Sequence, residues 1–550
     1  MDFFDTKFKH PYNYNNEYQK RIAYFSMEFA VDQSLKTYSG GLGFLAGSHM
    51  KSAYELKQNI VGVGILWKYG YYDQIRKQDQ SMDVLFLEKN YSFLEETGIK
   101  FSIEINGQPV TVSAKYLAPR FFQTVPLFFL TTDLPENDYL AQSICHRLYD
   151  SDTAAKIAQF ILLGIGGAKL LDHLGYHAEV IHLNEAHGFS SAFYLYQKFE
   201  SLAEVRKRLV FTTHTPEEAG NEKHDIYLLH KLGYFCGLPL EEIRELTKTS
   251  GDVFNHTLSA LRVARIANGV SQLHGKVACE MWNSYDEICP IIAITNSQNG
   301  RYWTDHELYD FLAHRRFKNL VHRKKYLKMK LFETVADQTG KIFDPDILTI
   351  VWARRFAGYK RPDLITEHAA AFDHLMTRAD FPVQIIWAGK PYPSDYGAIS
   401  TFNNLVHLSK KYKNMAVLVG HELKLSRKLK AGADIWLNNP RVPREASGTS
   451  GMTAAMNGAI NLSTNDGWIP EFATPHNSFV IPMADLNAPV SMQDVHDLQH
   501  LYDILENRIL PMYYKKPGAW IRMMKQSMKD IFPVFESNRM ADEYYKLLYN

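Results

Sequence analysis

The chain has 550 residues, a length that calls for two to four domains rather than one. With 46% apolar and 22% charged residues it has the composition of a globular protein, and a formal net charge of +1 points to neither nucleic acid nor an anionic membrane as a partner. The four cysteines, Cys145, Cys236, Cys279 and Cys289, make no CxxC pair, so a reducing, cytoplasmic setting without disulfides is expected.

The first twenty residues are polar and aromatic without an apolar stretch, which does not read as a signal peptide. No window approaches 18 uninterrupted apolar residues, so no membrane span is expected. RIAYFSME (21–28) reads as a first strand, and SGGLGFLAG (39–47) follows it with Gly40, Gly41 and Gly43 ahead of a plausible helix. Residues 60–130 look irregular, with hairpins around Asn106-Gly107. EVIHLNE (179–185) and RLVFTTH (208–214) are two further strands. Beyond a boundary near 294–303 the pattern becomes regular. Apolar runs at 347–353, 383–389, 415–420, 433–439 and 458–464 alternate with helix-compatible stretches, as in βα units with a parallel sheet. From about Trp520 the chain reads as amphipathic helix. These elements predict an α/β protein with an N-terminal Rossmann-like domain (1–295), a C-terminal one (296–520) and a terminal helix (521–550) returning to the N-terminal domain. The parallel sheets would face one another across a cleft, and ligands would bind at the strands' C-terminal ends.

Three segments suit anions. Gly40, Gly41 and Gly43 let backbone amides approach a ligand at a helix start. ARRFAGYKRP (353–362) packs Arg354, Arg355, Lys360 and Arg361 directly after a strand, pairing guanidinium forks with compact ammonium charges. Gly448-Thr449-Ser450-Gly451 follows another strand with backbone amides and hydroxyls for a second phosphate. Other chemistries fit poorly. HLNEAH is neither HExxH nor HxxEH, and His182, His187 and His214 lack metal-ligand spacing, so no metal is expected. Neither GxSxG nor GxGxxG occurs. Glu28, Glu185 and Glu445 could supply a glycosidase-like carboxylate pair, or serve as caps and ion-pair partners.

Six motifs in order, YFSMEF…GGLGFLAG, HLNEAHG, TTHTPEEAG, ANGVSQLHGKV, RRFAGYKRP and WLNNPRVPREASGTSGM, together resemble the α-glucan (glycogen, starch, maltodextrin) phosphorylases, in particular their shorter bacterial form. The resemblance covers most of the chain. It implies the GT-B architecture of two Rossmann-like domains, and retaining transfer of an α-glucosyl unit between a glucan end and phosphate. It further implies that Arg355 and Lys360 hold the substrate phosphate, with Gly40 and Gly41 presenting backbone amides to it. Glu445, Ser447 and Gly448 would bind sugar hydroxyls. His214 and Asn296 would hold the primary hydroxyl, with the His214 carbonyl facing developing oxocarbenium charge. Arg354, Thr449 and Ser450 would surround the phosphate of pyridoxal phosphate, and Trp303 would wall the site.

In that family a lysine in a motif like GTSGMK anchors the cofactor ring as a Schiff base. Here the motif is GTSGMT, and the hydroxyl of Thr453 cannot form an imine. No other lysine lies in 431–479, so no sequence neighbour is expected to substitute, and any pyridoxal phosphate is expected to bind non-covalently. Ser297 replaces a family glycine, Asn299 a histidine, His421 a tyrosine, and Arg444 stands in PREASG. Three readings follow: a phosphorylase with non-covalent cofactor, a retaining glycosyltransferase with a nucleotide-sugar donor, or a non-catalytic carbohydrate-binding relative. The partners expected are a glucan or other carbohydrate acceptor and phosphate or a sugar phosphate. A homodimer is compatible with all three readings.

Overall fold

A computed structural model describes residues 3–550. The chain forms two compact units. The first comprises the chain up to Tyr72, Phe86–Asn299 and Ser537–Asn550, and the second comprises Asp73–Leu85 and Gly300–Glu536.

Among the described residues, the first unit is built on a nine-stranded sheet. Seven strands run parallel in the spatial order Ile291–Ala293, Ile266–Gly269, Leu209–Thr212, Val180–Asn184, Ile22–Phe25, Ile60–Ile65 and Leu127–Thr131. Gln108–Leu117 and Glu95–Ile105 extend it antiparallel. Every residue of Ile22–Phe25, Ile60–Ile65 and Val180–Asn184 is buried, as expected of parallel strands covered on both faces. The segment 60–130 is therefore less irregular than predicted, since it begins with a central strand. The hairpin falls at Asn106-Gly107, where φ values of +54° and +71° turn the chain in two residues. The helical run Thr153–Leu174 is long and apolar enough to cross a membrane, but 78% of its most apolar window is buried inside the protein, as in a core helix.

The second unit is more regular. Its six parallel strands stand in the order Met415–Leu418, Val383–Ala388, Leu348–Ala353, Ile435–Asn438, Ile460–Thr464 and Ser478–Ile481. Numbered along the chain this is 3-2-1-4-5-6, the doubly wound order. Five of the strands occupy the apolar runs read from sequence; Ser478–Ile481 was not anticipated. The order reverses between Leu348–Ala353 and Ile435–Asn438, so a crevice opens beyond Ala353 and Asn438.

The units divide the chain differently from the expected domains. The crossover comes at Asn299–Gly300. Residues 521–550 are not one returning helix. Pro517–Phe535 belongs to the second unit, where Ile531 and Phe535 pack with Met452, Met456, Trp468 and Phe472. At Glu536 the backbone becomes extended, φ −85° and ψ 132°, and ends the helix. Ser537–Asn550 then joins the first unit, burying Tyr544, Tyr545, Leu548 and Tyr549 against Ile22 and Tyr24. The hairpin Asp73–Arg76/Met82–Leu85 also crosses over: Gln74 donates to Gly389 O at 3.0 Å and accepts from Gly420 N–H at 3.0 Å.

Candidate active site

In the second unit the crevice holds a compact charge cluster. Arg354 follows the first strand directly. Its Nη2 donates to Glu445 Oε2 at 2.7 Å, and Lys360 Nζ, in the tight turn Gly358–Lys360, reaches the same oxygen at 2.9 Å. The three side chains are 5%, 10% and 11% exposed for Arg354, Lys360 and Glu445. Burial alone would raise the Glu445 carboxyl, but the two cations hold it down at about 2. One carboxylate thus serves two cations. Asp466 accepts the Glu445 backbone N–H at 2.9 Å, and burial pushes its own carboxyl up to about 7, so it adds little compensating charge in acid. The cluster carries a positive surplus in a nearly dry place, an arrangement that favours an anion. Arg355 is exposed. Arg361, predicted with the anion ligands, instead turns away: its guanidinium binds Asp494 at 2.8 Å and Asp497 at 2.7 Å and braces the fold.

Glu445 leads into the turn that opens the next helix. Gly448 has φ +89°, and a Cβ there would also crowd Glu445 Cγ at 3.3 Å and Arg354 Nη2 at 3.5 Å. A Cβ on Gly451 would meet Asn461 Oδ1 at 2.5 Å. Around this turn the buried atoms Ser447 Oγ, Ser450 Oγ, Arg354 Nη1 and Asn438 Oδ1 have no hydrogen-bond partner. Buried polar groups in native proteins are nearly always satisfied, so four together mark a place for a ligand. The helix Thr449–Ala455 has only seven residues, so the Ser447, Ser450 and Arg354 donors, more than its dipole, equip the turn for phosphate, while Asn438 Oδ1 is an acceptor.

Thr453 is wholly buried, and its hydroxyl donates back to Ser450 O at 3.1 Å. Asn457 Nδ2 donates both to Thr453 O at 2.8 Å and to Trp303 O at 2.9 Å, which ties Trp303 to the turn. The residues therefore fit the phosphate end of a cofactor such as pyridoxal phosphate, while position 453 offers no amine for its aldehyde. Lys430 escaped the sequence reading. It lies one position outside the lysine-free window 431–479, and its Nζ stands 3.7 Å from the Trp303 ring centroid.

In the first unit, the Gly40 N–H predicted to face phosphate instead donates to Glu28 Oε2 at 3.1 Å. Glu28 also accepts from Ser39 N at 2.6 Å, Ser39 Oγ at 2.9 Å and Tyr149 Oη at 2.7 Å. Gly41 begins the helix Gly41–Glu55. The sheet's order reverses between Ile22–Phe25 and Val180–Asn184, and there Asn184 Nδ2 meets Ser26 Oγ at 3.1 Å and Asn184 Oδ1 meets His214 Nε2 at 2.7 Å. Glu185 sits at φ +69° and accepts the His214 backbone N–H; burial pushes its carboxyl up to about 7 and lowers His214 to about 3. A neutral imidazole and a strained acidic residue at a strand end fit a functional site. Asn296 Oδ1 is buried without a partner. Two family departures serve the fold: Ser297 Oγ accepts from Arg539, and Asn299 Nδ2 donates to Ser52 Oγ at 3.0 Å.

One unit is doubly wound with a buried charge cluster at its switch point, and the other is built on a mainly parallel sheet, which together define an α/β class that binds ligands at the strands' C-terminal ends. The family model for carbohydrate phosphorylase matches residues 293–473. The chain is 36% identical to the maltodextrin phosphorylase of Thermococcus litoralis, over 97% of the chain and 71% of that protein. It is 29% identical to the glycogen phosphorylase of Aquifex aeolicus, over 98% and 87%. It is also 44% identical to an uncharacterised protein of Methanocaldococcus jannaschii, over 96% of the chain and the whole of that protein. The chain belongs to the carbohydrate phosphorylase family, and its two units have the α/β construction of the GT-B fold.

Proposed function

We propose that this protein transfers an α-glucosyl unit between the end of a glucan and inorganic phosphate, with retention of configuration. The observation that carries the reading is the buried Arg354–Glu445–Lys360 cluster beside unpartnered Arg354 Nη1, Ser447 Oγ and Ser450 Oγ. In this reading Lys360 and Arg355 hold the substrate phosphate. Its arrival supplies the counter-charge that the cluster lacks and loosens Lys360 from Glu445. Glu445 then accepts a sugar hydroxyl, helped by Ser447 and the open face of Gly448. In the first unit, the free acceptor on Asn296 suits a hydroxyl, and the His214 carbonyl is a dipole suited to oxocarbenium charge. Arg354, Thr449 and Ser450 would hold the phosphate of pyridoxal phosphate, with Trp303 as its wall. Bound there, that group would supply a second phosphate able to give and take a proton. The maltodextrin and glycogen phosphorylase relatives support phosphate over a nucleotide sugar as the glucosyl carrier.

The test is turnover by the full chain. Maltodextrin with inorganic phosphate should release glucose 1-phosphate, and glucose 1-phosphate with a maltodextrin primer should release phosphate. Elongation from ADP-, UDP- or GDP-glucose with no reaction from glucose 1-phosphate would overturn the proposal.

A further inference from the structure

Lys430 lies on the Leu423–Gly432 helix with only 2% of its surface exposed. A lysine buried merely to pack its stem keeps its ammonium in water. Lys430 does the opposite and carries its Nζ inward to the face of Trp303, 3.7 Å from the ring centroid. That tryptophan is joined through Asn457 to Thr453, and Thr453 through its hydroxyl to Ser450. The Leu423–Gly432 helix packs directly on Thr449–Ala455. Lys430 thus belongs to the same neighbourhood as the unpartnered hydroxyls of Ser447 and Ser450. His421, just ahead of the Lys430 helix, has a buried Nε2 without a partner; burial and then the Lys430 charge lower it to about 3.

We infer that Lys430 is a carbonyl-capturing amine, which forms an imine with a phosphate-bearing aromatic aldehyde of the pyridoxal phosphate class in place of the lysine absent at position 453. The inference rests on the reading of the Ser447–Ser450 turn as a phosphate site. The neutral amine attacks the aldehyde carbon, the C–N bond forms, and the carbonyl oxygen leaves as water with both amine hydrogens. No oxidant or reductant is needed. Burial keeps Lys430 well below the usual lysine range, which favours the neutral, nucleophilic form of the amine. The Trp303 face favours the charged form, but by less than burying an ammonium costs. A second buried lysine gives an internal comparison. Burial lowers Lys324 to about 7, and its Nζ donates to Ala431 O at 2.8 Å and Asn457 O at 2.7 Å.

The experiment treats the purified full chain with pyridoxal phosphate or with phosphate-free pyridoxal, scans 320–450 nm, reduces with borohydride, and maps the modified lysine by peptide mass. The expected result is a single pyridoxyl group on Lys430, none on Lys324, and labelling by pyridoxal that needs about tenfold or more higher concentration, because the phosphate contacts are lost. Lys430→Arg, which keeps charge and bulk, should abolish the absorbance band and the adduct, while Lys324→Met should leave both. Adducts scattered over surface lysines, absence of any adduct on Lys430, or an adduct that survives Lys430→Arg would overturn the inference. The wild-type mapping decides the matter even if the variants misfold. Turnover of glucose 1-phosphate without Lys430 labelling would sink this inference and leave the proposed function standing. Labelling without turnover would do the reverse.

Discussion

Two glycine turns in this chain look alike in sequence, Ser39-Gly40-Gly41 and Ser447-Gly448-Thr449, and the fold uses them oppositely. In the first, Glu28 gathers four donors, including the Gly40 N–H and the Ser39 hydroxyl, so the turn is already saturated. In the second, Glu445 is drawn aside by Arg354 and Lys360, and the hydroxyls of Ser447 and Ser450 are left without partners. The difference lies in the nearby carboxylate: Glu28 satisfies its own turn, whereas Glu445 is engaged by two cations and leaves the hydroxyls of its turn open.

The comparison can be broken most severely at Glu445. Glu445→Gln leaves two buried cations uncompensated and should cost the second unit about 3–5 kcal/mol, read as a fall in its denaturation midpoint. Added phosphate should recover part of that loss by binding the exposed charge. No loss would mean that the cluster is not the buried ion triad described. Glu28→Gln should cost the first unit about 1.5–3 kcal/mol, since several hydrogen bonds to a charged acceptor weaken, and phosphate should restore none of it.

The pH dependence sharpens the contrast within the second unit. Glu445, held at about 2 against an ordinary 4.5, contributes stability above 4.5 that is lost as pH falls toward 2. Asp466, raised to about 7 from an ordinary 3.8, favours the folded state in acid, and that contribution is lost as pH rises from 3.8 to 7. Thermal melts of Asp466→Asn should therefore decline less than wild type between pH 5 and 7; parallel curves would refute the assignment. The smallest effect is expected at Ser450→Ala. No hydrogen bond from that hydroxyl is lost in the free protein, so stability should stay within about 0.5 kcal/mol. Pyridoxal phosphate binding should nevertheless weaken about tenfold, measured by the concentration dependence of the absorbance band.

Much of the second unit was legible because its strands are continuous apolar runs separated by helices of ordinary length, and Arg354, Lys360 and Glu445 sit at strand ends where such folds place chemistry. Ser478–Ile481 was not legible, because a four-residue edge strand carries little pattern. Arg361 looked like a phosphate ligand, but its partners Asp494 and Asp497 lie more than 130 residues away in sequence. Lys430 was missed for the same reason: proximity to Trp303 and Thr453 comes from helix packing, and a window drawn along the chain stops one residue short. The availability of Gly40 depended on Glu28, whose side-chain direction no local pattern encodes.

The exchanged segments bear on how the protein is made. The hairpin at 73–85 emerges from the ribosome long before the strands that hold Gln74, and the first unit waits for Ser537–Asn550, whose Tyr549 hydroxyl meets His182 Nδ1 at 2.7 Å. The first unit therefore closes only after the whole second unit has been synthesised. A nascent chain that has not yet delivered Ser537–Asn550 should leave the first unit open and remain a chaperone client.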